Sequence, residues 1–237
     1  MPHELLLDSG GSIAEITITA PGRNALDRSR IEELHDLLRG LASREDIRAV
    51  ILSGAGGNFC AGRIRNMELR TKDEIATDLA PILALNKLLE EYPVPVIGAI
   101  EGVALGFGFG LATLCDVTVA AEDAVFALTE LAHGIPPLIV LSYFFRFVPY
   151  KVGFDLALTG REVDAASAVR LGLATTMCPS GHALEIARGV AAHVAGLDPE
   201  AVRLLRRFAR DRAAILDTAT ASHGADEIAS LLAKENR

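Results

Sequence analysis

A strand-like apolar run from Val94 to Ile100 turns into Gly106-Phe107-Gly108-Phe109-Gly110 and then into Leu111-Ala112-Thr113-Leu114, apolar enough for a buried helix. A strand feeding a glycine-rich helix start presents unpaired backbone N–H groups and the positive end of the helix dipole, a place where an anion can sit. That anion is either a phosphate or an oxyanion formed during a reaction. Nucleotide motifs do not fit the spacing. The dinucleotide fingerprint needs its third glycine where Leu111 stands, and the second glycine cluster, Gly54 to Gly57, puts Phe59 at that place. Neither G-x-x-x-x-G-K-[ST] nor the G-x-S-x-G elbow occurs. The oxyanion is therefore favoured, beside a plainer reading in which small residues only let a helix pack close to a sheet. Glu130 and His133 form a Glu-x-x-His pair with no further ligand-type residues at metal-site spacing beside it, so no metal is expected.

The elements that must position these residues alternate between strand and helix. Short strands are expected at Glu4–Leu7 and Ile13–Thr19, the second closing on Pro21-Gly22. Asp27 is placed to N-cap an amphipathic helix carrying Ile31, Leu34, Leu38 and Leu41. Strand Ala49–Ser53 runs into the Gly54–Gly62 loop. A long helix from Lys72 to about Tyr92 follows, stopped by Pro93 and Pro95. Beyond the glycine helix come strand Val117–Ala120, an extended Val125–Leu128 segment, and helices at Leu138–Phe147 and Val152–Leu158. From Asp164 the pattern is nearly all helical: Ala165–Leu171, Gly181–Ala195, Pro199–Asp211 and Thr218–Lys234. This is an α/β body over residues 1–190 with a helical segment over 191–237, one domain without a linker. Such an amphipathic tail suits packing against a second copy of the chain.

At 237 residues, half of them apolar, the chain can bury one sizeable core. A net charge of −8 argues against nucleic acid or an anionic membrane as partner. The uncharged stretch Gly102 to Cys115 is too short to span a bilayer, and Met1–Gly11 lacks an apolar targeting core. Three well-separated cysteines fit a reducing compartment, with the cytoplasm as the expected location.

Several segments together resemble the crotonase superfamily, the enoyl-CoA hydratase/isomerase family. They are Asn24-Ala25-Leu26; Ser53 to Gly62 with its Cys60-Ala61-Gly62 end; Pro95 to Glu101-Gly102 and on through Leu111 to Asp116; Phe126 to Pro137; and Ala157-Leu158-Thr159-Gly160-Arg161 followed by Ala168, Leu171-Gly172-Leu173 and Pro179. They stand in the family's order and cover most of the chain. The resemblance implies a crotonase-like spiral of repeated β-β-α units with a helical C-terminal segment supporting a homotrimer or a dimer of trimers. It implies an acyl-CoA substrate, with coenzyme A as part of that substrate and no separate cofactor. It also implies an oxyanion hole built from the backbone N–H groups of Arg63 and Phe107, stabilising a thioester enolate. Contacts to CoA and the acyl chain are implied at Arg23, Ala25, Leu26, Ala61, Arg63, Ile64, Gly106 and Leu138.

Two departures from the family pattern bear on the chemistry. Family hydratases use two glutamates; Glu130 matches the one before the Gly-x-x-Pro turn, whereas Gly110 stands at the other position. After Pro137 the pattern turns bulky, Leu138-Ile139-Val140-Leu141, leaving less room for a catalytic water. One carboxylate above an enolate suits a Δ3→Δ2 double-bond shift. Phe109, Phe126, Leu138 and Tyr143 are candidates for an apolar acyl pocket that would raise the pKa of Glu130. Hydration with one glutamate stays open, followed by other enolate reactions such as decarboxylation or retro-aldol cleavage, and by a non-catalytic CoA-binding relative. Pro136, Pro137 and Leu138 occupy the turn where a dehalogenase would carry its nucleophilic aspartate. Asp116 is expected to make a structural contact, Asp155 to be solvated, and Arg23, Arg63 and Arg65 to meet CoA phosphates or solvent.

Overall fold

The structure is a computed structural model that describes residues 3–7, 11–69, 71–213 and 218–235. Part of the Met1–Gly11 segment lies outside the described residues. Six strands form the central sheet: β1 (Glu4–Leu7), β2 (Ile13–Ile18), β3 (Ala49–Gly54), β4 (Val96–Ile100), β6 (Val117–Ala121) and β9 (Thr176–Cys178), hydrogen-bonded in that order. Only β1–β2 is antiparallel; the register of the others pairs Ile16 with Leu52, Ile97 with Val117, and Val119 with Thr176. A smaller sheet holds β5 (Val103–Leu105) and β7 (Val125–Ala127) in parallel, with β8 (Val163–Asp164) antiparallel beyond them.

Strands β3 and β4 are apolar and buried at nearly every position because the sheet is covered on both faces. Ile16, Val50, Leu52 and Ile100 face the main core. Ala49, Ile51, Ile97 and Val119 face the other way, against Ala183, Ala187 and Ala191 of a helix at Ala183–Ala195. Alanines at that spacing let the helix lie close to the sheet. Glu101 fixes its start, its carboxylate accepting the N–H groups of Gly181 and Ala183 at 3.0 and 2.9 Å.

Three helices alternate with the strands of the body. Helix α1 (Arg28–Ala42) starts where the Asp27 side chain accepts the Arg30 N–H at 2.9 Å, as its sequence predicts. Helix α2 (Lys72–Glu90) begins in a Thr71/Glu74 capping box. Helix α3 (Phe107–Leu114) is buried along its whole length. It is followed by α4 (Leu138–Phe144), α5 (Tyr150–Thr159), α6 (Ala165–Leu171), α7 (Ala183–Ala195), α8 (Pro199–Ala213) and α9 (Thr218–Glu235).

The helical segment is folded back onto the chain's own body. From α8, the buried Arg206 donates to the carbonyls of Leu89 and Tyr92 at the end of α2 and to Asp116 at 2.8 Å. Arg210 adds a second bond to Asp116 at 2.7 Å, and Asp116 also accepts the Val96 N–H at 2.9 Å. Asp116 thus has the structural role its position suggested, joining β4, β6 and α8. Helix α9 packs on α2 and α4, burying Ala225, Ile228 and Ala229. A close approach explains Gly224: a Cβ there would stand 2.9 Å from the Leu138 Cβ.

Candidate active site

Two loops are clamped edge to edge. The tight turn Pro21–Asn24 places Arg23 and Asn24 at positive φ. Asn24 offsets that strain: its buried amide accepts the Ala20 N–H at 3.0 Å and donates to the carbonyls of Ala55 and Asn58. The chain then pairs Leu26 beside Arg63, with Leu26 N–H to Gly62 O at 2.9 Å and Ile64 N–H to Leu26 O at 2.8 Å. On the other side, Cys60 pairs with Ala104, and Leu105 N–H reaches Cys60 O at 2.9 Å. Gly108 is dictated by this approach, because any Cβ there would collide with the Cys60 carbonyl. The Gly106 N–H is used by Ala127 O at 2.8 Å, while the N–H groups of Arg63 and Phe107 have no acceptor among the described residues. Both residues line one cavity of about 590 Å³.

Glu130 enters that cavity from a short 3-10 turn, Glu130–His133, closed by Gly134 at φ 73°. Its carboxyl lies over Gly106, where an added Cβ would stand 3.0 Å from Oε1. Oε2 is sealed from solvent and has no hydrogen-bond partner among the described residues. Burial among apolar walls penalises the charged form and pushes the carboxyl up to about 7. Those walls include Leu79 and Ile82 from α2, Ile139 and Val140 from α4, and Ile228 from α9.

The structure brings Ala61, Arg63, Gly106, Phe107 and Glu130 together on this cavity. The other sequence candidates stand elsewhere. The Leu26 side chain is fully buried in the core. Exposed Ile64 borders a separate shallow groove, with Asp27 and Arg28. Arg23 and Ala25 are not on the cavity wall, and Leu138 packs against Gly224. Phe109 and Phe126 do not line an acyl pocket: both are inaccessible, with ring centroids 5.3 Å apart, and Phe109 also meets Phe144 edge-on. Of the aromatic acyl-pocket candidates Phe109, Phe126 and Tyr143, only Tyr143 reaches the cavity wall. The Arg63 guanidinium is ion-paired with Asp78 of α2, and both side chains are largely buried. Arg65 and exposed His133 stand at the cavity, without a hydrogen bond between His133 and Glu130. Asp155 is solvated and bonded to Arg161 at 2.7 Å.

Gly110 explains why Tyr143 matters. A Cβ at Gly110 would collide with the Tyr143 hydroxyl and stand 3.0 Å from Val140 Cγ2, so α4 fills the space a longer side chain would take. Sequence reasoning missed Asn86 and Ile228. Asn86 had a signal: it interrupts the apolar stripe Ile75, Leu79, Ile82, Leu89 of α2. Ile228 had none beyond its own helical pattern.

The profile of the Enoyl-CoA hydratase/isomerase family matches residues 8–233. The chain belongs to this family. It is 32% identical over 211 residues to the 2,3-dehydroadipyl-CoA hydratase of Escherichia coli, covering 87% of this chain and 82% of that one. It is also 32% identical over 217 residues to the carnitinyl-CoA dehydratase of Proteus mirabilis, covering 89% and 81%. An enoyl-CoA hydratase structure from Mycobacterium avium superposes with a TM-score of 0.86 at 27% identity, over 99% of this chain and 93% of that one. The crotonase fold implied by the sequence is therefore the fold observed, and this family member is an acyl-CoA enzyme.

Proposed function

We propose that this enzyme shifts the double bond of a 3-enoyl-CoA into conjugation, with Glu130 as its one acid–base group. The observation that carries this reading is that Glu130 is the sole carboxylate lining the cavity among the described residues, while Tyr143 fills the space beside Gly110. Glu130 takes a proton from C2 of the thioester, and the electron pair moves onto the carbonyl oxygen. The free N–H groups of Arg63 and Phe107 are the donors available to that oxygen; preorganised amides in a dry site stabilise such charge by about 3 kcal/mol each. The same carboxyl then returns the proton to C4, leaving a 2,3 double bond. One proton moves and nothing is oxidised, so the reaction needs no cofactor beyond the CoA it carries. A carboxyl held near 7 suits both halves of this transfer.

Arg65 at the cavity suits a CoA phosphate, whereas Arg63 is committed to Asp78. Exposed Leu204, Leu205 and Phe208 on α8 support a homotrimer or dimer of trimers. Among the described residues no helix is long and apolar enough to cross a membrane. The three buried free cysteines support a cytoplasmic setting.

Hydration is the second reading, favoured by the hydratase and dehydratase names of the relatives. Absorbance of the conjugated enoyl thioester separates the two. A rise from a 3-enoyl-CoA, lost in Glu130→Gln, is the expected result. A fall from a trans-2-enoyl-CoA without the rise would instead establish hydration.

A further inference from the structure

Among the described residues, three buried side-chain atoms lack any hydrogen-bond partner: Arg63 Nε, Asn86 Oδ1 and Glu130 Oε2. All three belong to residues that line the same cavity. Orphaned buried polar atoms are rare in folded proteins, because each costs roughly 1–3 kcal/mol in lost hydration. Their concentration in one cavity points to partners that a ligand supplies. Glu130 is accounted for by the proposed reaction; Arg63 is held by Asp78 through a terminal nitrogen, which leaves its Nε unpaired. Asn86 has no such account.

Asn86 is only 7% exposed and stands on the α2 face that carries Leu79 and Ile82. Tyr143, 3% exposed, lines the cavity from α4, and its hydroxyl has no partner among the described residues. One structural clamp places the two. Glu90, one turn beyond Asn86, is ion-paired with Arg146, three residues beyond Tyr143. The phenol is held neutral by burial and by the nearby carboxylates Glu90 and Glu130, with Arg146 opposing. It is therefore an O–H donor over the whole working range, and Asn86 Oδ1 is an acceptor.

A hydrocarbon chain in this cavity would expel water and leave both groups unpaired. A carboxylate would stand beside Glu130 and could not donate to Asn86 Oδ1. A hydroxyl has the chemistry both groups call for, a donor for Asn86 and an acceptor for Tyr143. We propose that Asn86 and Tyr143 form a polar subsite that selects acyl-CoA substrates bearing a neutral hydroxyl on the acyl chain. This rests on reading the cavity as the acyl site, but it does not depend on which reaction follows. Sites built to hydrogen-bond a hydroxyl discriminate strongly against analogues that lack it, because their polar groups are then stranded.

Saturated thioesters, which cannot undergo the double-bond shift, separate binding from turnover. Calorimetric titration would compare butyryl-CoA, 4-hydroxybutyryl-CoA, 5-hydroxyvaleryl-CoA, valeryl-CoA and succinyl-CoA. One hydroxyacyl-CoA is expected to bind about 10-fold or more tighter than the alkanoyl-CoA of equal length. In Asn86→Leu that preference should vanish and alkanoyl affinity should rise; the variant should fold, since it replaces an orphaned polar group on an apolar face. Tyr143→Phe should reduce the preference without removing it. Equal affinities in the wild type, tightest binding of succinyl-CoA, or an Asn86→Leu variant with unchanged preference would each overturn the subsite. A hydroxyl preference in an enzyme that fails to isomerise any 3-enoyl-CoA would support the subsite and reject only the reaction.

Discussion

Glu130 owes its chemistry to what surrounds it rather than to its own type. No charged neighbour raises its pKa; apolar burial does, and that same burial shapes the pH response. As a base it must be ionised, so kcat/KM for the isomerisation should climb with pH and level off with an apparent pKa of about 7, read from initial rates of conjugated-thioester absorbance. Glu130→Gln should lower kcat roughly 10²–10⁴-fold. Stability moves in the opposite direction. A carboxyl whose native value lies above its unfolded one binds its proton more tightly when folded, so its contribution is present at low pH and is lost as pH rises through about 7. Melting curves should therefore show Glu130→Gln more stable than the wild type by a few degrees at pH 8, with the gap closing by pH 5. At this scale the sequence singled out Glu130, Arg63 and Phe107 only through the family resemblance. It did not point to Asn86, because one polar residue on a helix face reads as a tolerated exception until a cavity is seen beside it.

Helix α4 against α3 decides how much room the site has. Gly110 and Tyr143 are matched in shape, so Gly110→Ala should destabilise the fold by about 1–3 kcal/mol in urea denaturation. Removing the hydroxyl with Tyr143→Phe should relieve much of that cost, and a double-mutant cycle should show the two changes strongly coupled. Additive costs would mean that the two residues do not meet. The long elements were legible from periodicity: α1, α2 and α7 follow their apolar spacing within a few residues. The short strands were not. Strands β5, β8 and β9 span two or three residues each and carry no alternation long enough to recognise; pairing with β7 and β6 creates them. The bulky run after Pro137 was also misassigned in part. Leu138 points to α9, and it is Ile139, Val140 and Tyr143 that face the cavity, because a helix turns each successive side chain by about 100°.

Across the whole molecule, the helical segment does two jobs with different faces. Arg206 and Arg210 fasten α8 to the body, while Leu204, Leu205 and Phe208 stay more than half exposed, at 55%, 68% and 57%. Apolar side chains left outside after such anchoring suit a second copy of the chain. Sedimentation equilibrium should show a trimer or a multiple of it, and Leu205→Glu with Phe208→Glu should shift the population toward monomer. A monomeric wild type at micromolar concentration would contradict this. Helix α9, by contrast, turns inward and places Ile228 in the cavity wall, so the tail contributes to the site as well as to the outer surface.

Through the family resemblance alone the sequence singled out the carboxylate; by itself it determined the element pattern and the two glycine loops. These are local facts: spacing, turn chemistry and the conformational freedom of glycine act within a few residues. Only the tertiary structure decided which side chains meet across the cavity. Arg63 turned to Asp78, Phe109 and Phe126 sank into the core, and Tyr143 took the space beside Gly110 while Asn86 joined it on the wall. The physical reason is that these contacts join α2, α4 and α9, which are far apart in the chain. Their mutual placement is set by packing and by buried ion pairs rather than by any local preference.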